Sequence, residues 1–160
     1  MKENHMGMEK AIHNLDIAIR LFIMENECEA AILIAGASEE TFNDELKKQG
    51  KASILTLSKN KASKIYGISM KKVSDNHANL VKNWLKHATS PTLIYDEEEE
   101  AFQYIMRAII SYEMIFNKFE KSHYAFINYI QKNMPKIASY FDSEISKQMQ
   151  LREYKDSTML

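Results

Sequence analysis

The 160 residues carry 45% hydrophobic and 27% charged residues, with a net charge of -1, which suits one water-soluble domain with a substantial core. Four glycines and two prolines are too few for the many turns of an all-β chain, so the composition predicts an all-α fold. One cysteine, Cys28, excludes an intrachain disulfide and argues against a cysteine-built zinc site.

In chain order, residues 1–7 read as a flexible N-terminus, 8–151 as a single helical domain and 152–160 as a flexible tail. Met8, Ile12, Leu15, Ile19 and Phe22 repeat at helical spacing and predict a first helix over 8–25. A break at Asn26-Glu27 precedes a second helix from Cys28 to Gln49, with Gly50 as its stop. Its small residues, Ala30-Ala31 and Ala35-Gly36-Ala37-Ser38, leave room for another helix to approach closely. Glu39 sits at the edge of the apolar face, where it either pairs with a basic group, partly buried, or reaches water. Glu40 points nearly opposite.

Residues 51–69 predict a short helix or two helical turns. A longer helix follows to about Ala88, N-capped by Ser69. It holds the chain's most unusual surface. At roughly 100° per residue, Asn76, Asn79, Asn83 and His87 gather on one side, next to an apolar arc that includes Leu80, Val81 and Trp84. Asparagines cost helix stability, so this ledge is the first place to look for function. His77 falls within the apolar arc and reads, with Leu80 and Trp84, as packing.

The loop 89–95 brings Leu93, Ile94 and Tyr95, expected to tuck against the bundle. Asp96 is a natural N-cap, and the acids after it occupy the first turn of a helix running to about Lys118, where negative charge favours the dipole. This helix is apolar on much of its circumference, which marks it as central or as a contact with a second subunit, and so predicts a homodimer. A sixth helix follows Glu120-Lys121-Ser122, and Pro135 divides it from a seventh carrying Ile137, Tyr140 and Phe141. The expected architecture is a bundle of six or seven helices.

Charge is unevenly spread. Between Glu45 and Asp75 there are eight lysines and no acid, Lys71 and Lys72 among them. Such a block either attracts phosphate or is a solvated surface. No apolar run approaches a membrane span and no signal peptide is apparent, so a cytoplasmic protein with no membrane partner is expected. No His/Asp/Glu spacing suggests a metal site, and no glycine-rich phosphate loop or nucleophile motif occurs, so no cofactor is expected. His87 is the sharpest candidate for chemistry: an imidazole among lysines and amides can move a proton near neutral pH. The alternative is a histidine bonded to a carbonyl at its helix end.

Lys82-Asn83-Trp84-Leu85-Lys86-His87 resembles the HEPN-superfamily motif, in which Arg, a polar residue and three variable residues precede His. Members are compact helical bundles, many of them metal-independent ribonucleases of toxin–antitoxin and phage-defence systems. The segments Ala35–Glu40, Asn83–His87 and Glu97–Arg107 are also similar to a group of small bacterial proteins without a known activity. The resemblance implies an acid/base role for His87, an orienting role for Asn83 and a phosphate contact for Lys82, which stands where the family has Arg. It also implies two such motifs paired across a homodimer, with RNA or nucleotide as ligand and a protein partner such as a cognate antitoxin. Asn76, Asn79, Lys86, Lys71 and Lys72 would form the binding ledge and its basic rim, with Glu39 a buried partner. Lys is a point charge where Arg grips phosphate bidentately, and it lies roughly 140° around the helix from His87. A non-catalytic interaction or dimerisation module is the alternative function.

Overall fold

The computed structural model describes residues 2–57, 79–87 and 93–140. Every regular element among them is helical, as the composition requires. The chain divides into two compact units, 1–123 and 124–160.

In the first unit, α1 (Lys2–Arg20) begins six residues earlier than the hydrophobic spacing places it, and it runs into a wide π-type turn over Leu21–Glu25. Asn26 closes that turn in the left-handed region, at φ 55°. Asparagine tolerates this conformation better than most residues, so the break falls where the sequence places it. Then α2 (Cys28–Lys48) returns along α1. The buried Ser38 hydroxyl donates to the Ala11 carbonyl across this pair at 2.9 Å. Gly50, at φ 70°, takes the chain out of the helix end.

A single helical turn over 54–57 is fastened by the Thr56 N–H donating to Ser53 Oγ at 3.1 Å. Next among the described residues comes α3 (Leu80–His87). Asp96 Oδ1 accepts from the Glu99 N–H at 2.9 Å and caps α4 (Glu97–Phe116), which ends at Asn117 with φ 53°.

The core of this unit lies between α2 and α4. Glu39 meets Arg107 and Asn43 meets Ser111, each pair 68 residues apart, so α2 and α4 run parallel. Phe42 packs edge-on against Tyr112, with ring centroids 5.9 Å apart. Most of the apolar circumference of α4 is buried here: Phe102, Tyr104, Ile105, Ile109 and Tyr112 are covered within the chain, while Ile115 is half-buried and Phe116, at the helix end, is exposed. That girth marks a central helix and does not by itself call for a second subunit.

In the second unit, the rest of α5 (Lys121–Asn133) is followed by α6 (Pro135–Tyr140). Proline stands at the first helical position, where its missing N–H costs nothing. Among the described residues no helix is long and apolar enough to cross a membrane.

Candidate functional site

The motif helix is keyed onto α2 through an unexpected face. Val81 and Lys82 are buried, Asn83, Trp84 and Leu85 half-buried, and Leu80, Lys86 and His87 exposed. By helical spacing Leu80, Asn83, Trp84 and His87 form an outward stripe on the side away from Val81 and Lys82. Leu80 and Trp84 were the expected packing residues; Leu80 instead faces water, and Trp84 is half-exposed with its ring edge-on to Tyr95 at 6.3 Å.

The rotation follows from Gly36. A methyl group built at Gly36 would sit 2.5 Å from Lys82 Cδ, so the absence of a side chain on α2 opens the channel in which the lysine stem lies. Four methylenes are apolar enough to pack there, and the ammonium emerges on the Glu40 carboxylate. Lys82 is 3% exposed. Glu40, itself exposed, also has Lys86 Nζ at 4.0 Å. The small-residue stretch of α2 thus does provide a close approach, used by Lys82 from one side and the Tyr104 ring from another.

Glu39, one residue earlier, is 2% exposed and grips Arg107 bidentately, at 2.8 Å to Nε and 3.0 Å to Nη2. The Arg107 guanidinium lies 4.3 Å from the centre of the Tyr104 ring. Burial pulls the Arg107 pKa down, but the charge and hydrogen bonds of Glu39 outweigh that and leave it above the usual value. Two successive carboxylates of α2 therefore each hold a cation from a different helix.

Beside this seam is a cavity of about 360 Å³ lined by Glu39, Glu40, Asn43, Asp44, Leu55, Asn79 and Lys82. Of the three carboxylates in its wall, Glu39 is answered by Arg107 and Glu40 by Lys82, which leaves Asp44 as a net negative charge that disfavours a phosphate there. The catalytic candidates separate. Lys82 points into the seam, while Asn83, half-buried, and His87, exposed, share the outward stripe. The His87 imidazole makes no hydrogen bond or ion pair with any described residue, so neither the carbonyl contact nor a paired carboxylate is found for it among them. Asn79 lines the cavity, and Lys86 is exposed near Glu40. Asn76, Lys71 and Lys72, with His77, lie outside the described residues. No group of three His, Cys, Asp or Glu side chains among the described residues is placed to hold a metal ion.

A second polar cluster was not anticipated. His123 is 1% exposed, accepts the Glu120 backbone N–H on Nδ1 at 3.2 Å, and stands edge-on to Tyr112 with centroids 4.9 Å apart. The Tyr112 hydroxyl donates to Glu120, and the Ser122 hydroxyl to Asp16. Burial is the main cause holding the His123 pKa down at about 4, against the opposing pull of Asp16 and Glu120. Its place at the third position of α5 is the one available signal, since a side chain there can reach back to the residue before the helix.

The loop contact also differs from expectation. Leu93 and Tyr95 are half-buried, but Ile94 is 96% exposed. No family model matches the chain, and neither a curated protein nor a solved structure does.

Proposed function

We propose that this chain is a non-catalytic helical interaction module of HEPN-like type, in which α3 is a docked helix that presents its outward stripe to a partner. One observation carries the reading: Lys82 is buried across Gly36 and its ammonium is engaged by Glu40. A cation so held is not available to a scissile phosphate, and the net negative charge left in the cavity wall would repel one. The residue that the motif assigns to phosphate is thereby a fastening for the helix. The partner is a protein, a second copy of the chain or an antitoxin-like protein being the cases the motif suggests.

A second reading, metal-independent RNA cleavage, is favoured by His87 and Asn83 standing together on the open side of α3. It requires a phosphate-binding cation from elsewhere, such as Lys86 or the lysine-rich stretch. Incubation with structured RNA in EDTA separates the two. The module reading expects no cleavage and no difference between wild type and His87→Ala. Cleavage lost in His87→Ala, with an unchanged melting temperature, overturns it.

A further inference from the structure

Because α2 and α4 run parallel, their N-termini lie at the same end of the first unit, and that end is crowded with acid. Glu27 and Glu29 come from the start of α2; Asp96, Glu97 and Glu98 come from the start of α4. All five are exposed. Helix dipoles account for part of this, since each N-terminus offers roughly half an elementary charge, or about one for the pair. Five carboxylates exceed that several-fold. None of the five forms an ion pair with a lysine or arginine among the described residues. They are not a metal site either, since no group among the described residues has the spacing to close on a single ion. The charge is spread along a surface.

That surface has an apolar centre. Ile94, almost wholly exposed, stands next to Tyr95, whose hydroxyl donates to Glu29 at 2.8 Å, and Tyr95 meets the Trp84 ring of α3. Burial first, then Glu98, Glu97, Asp96 and Glu27, push the Cys28 thiol pKa upward, so these carboxylates act on one place.

We propose that this acidic face, centred on Ile94 and Tyr95, docks a basic amphipathic segment of a partner protein. Lysines or arginines would answer the two rows of carboxylates, and an apolar residue between them would cover Ile94. The proposal rests on the module reading and gives the partner its chemistry: charge complementarity excludes nucleic acid from this face and selects a cationic peptide.

Trp84 is the chain's single tryptophan and borders the face, so its emission reports occupancy. The full chain is titrated with a synthetic peptide alternating lysine and leucine, and with its glutamate–leucine counterpart. The expected result is saturable binding of the basic peptide alone, weakened roughly tenfold or more between low and high salt because the contacts are exposed charges. Glu97→Gln with Glu98→Gln should weaken it at least several-fold, and Ile94→Asn should do so without changing its salt dependence. Removing the same charge elsewhere, by Glu9→Gln with Glu45→Gln, should leave it unchanged. Equal binding to both charge variants, or none to wild type, overturns the proposal. So does low-salt self-association, seen by sedimentation and lost in the Glu97/Glu98 variant, because the chain's own lysines would then be the occupant. RNA cleavage would sink the module reading without altering peptide affinity, so the two failures are distinguishable.

Discussion

The stem of Lys82 crosses α2 at Gly36, and no side chain larger than hydrogen fits between them. This contact fixes which face of α3 is buried and therefore which of its residues reach solvent.

Gly36→Ala should accordingly be destabilising despite the better helix propensity of alanine. Propensity alone would add about 1 kcal/mol, while forcing a methyl against a packed stem costs about 1–3 kcal/mol. In a Lys82→Ala background the obstruction is gone, and the same substitution should become stabilising. A double-mutant cycle by denaturant unfolding checks the change of sign. If Gly36→Ala stabilises both backgrounds equally, the Lys82 stem does not lie across Gly36.

Glu39 and Arg107 should behave as a buried ion pair. Removing one partner leaves the other charge uncompensated, so Glu39→Gln or Arg107→Met should each cost about 3–5 kcal/mol. Replacing both by apolar residues should cost markedly less than the sum. Additive losses in chemical denaturation would show that the two groups are not energetically coupled.

His123 gives the stability a pH dependence. Its folded pKa, about 4, lies below the ordinary value of 6.5, so the unfolded chain binds the extra proton first as pH falls. Stability from this group is complete above about pH 6.5 and is lost progressively as pH falls towards 4, by at most about 3 kcal/mol. Melting temperature measured across that window should fall in wild type and fall less in His123→Phe. That variant should start somewhat less stable at neutral pH, because the Glu120 N–H loses its acceptor.

Cys28 should be slow to react with disulfide reagents at pH 8. It is buried, and burial with the surrounding carboxylates raises its pKa, so little thiolate is present or reachable. Denaturant should restore ordinary reactivity, and Glu97→Gln with Glu98→Gln should raise the native rate modestly. A native thiol as fast as free cysteine would contradict the packing at the start of α2.

The helices were largely legible in the sequence, because their signals are local. Asn26, Asp96, Asn117 and Pro135 sit at boundaries through backbone preferences that operate without tertiary contacts. The π-type turn at Leu21–Glu25 was not legible, since its hydrophobic spacing continues that of α1. Within the candidate site, Glu39 was read as either pairing with a basic group or reaching water; it pairs, and its partner depends on the parallel register of α2 and α4. One arginine in an otherwise apolar stretch of α4 was the available hint. The buried face of α3 was misread because a lysine counts as polar in any periodicity, whereas its methylenes fill a groove when a carboxylate waits at the end. Leu80, read as packing, was displaced outward by the same turn of the helix.

The most direct test of the central claim is to incubate the chain with structured RNA in EDTA, beside Lys82→Met and His87→Ala. No cleavage by any of the three is expected, with Lys82→Met altering only the unfolding free energy. Cleavage by wild type that both substitutions abolish, while both variants stay folded, would contradict it.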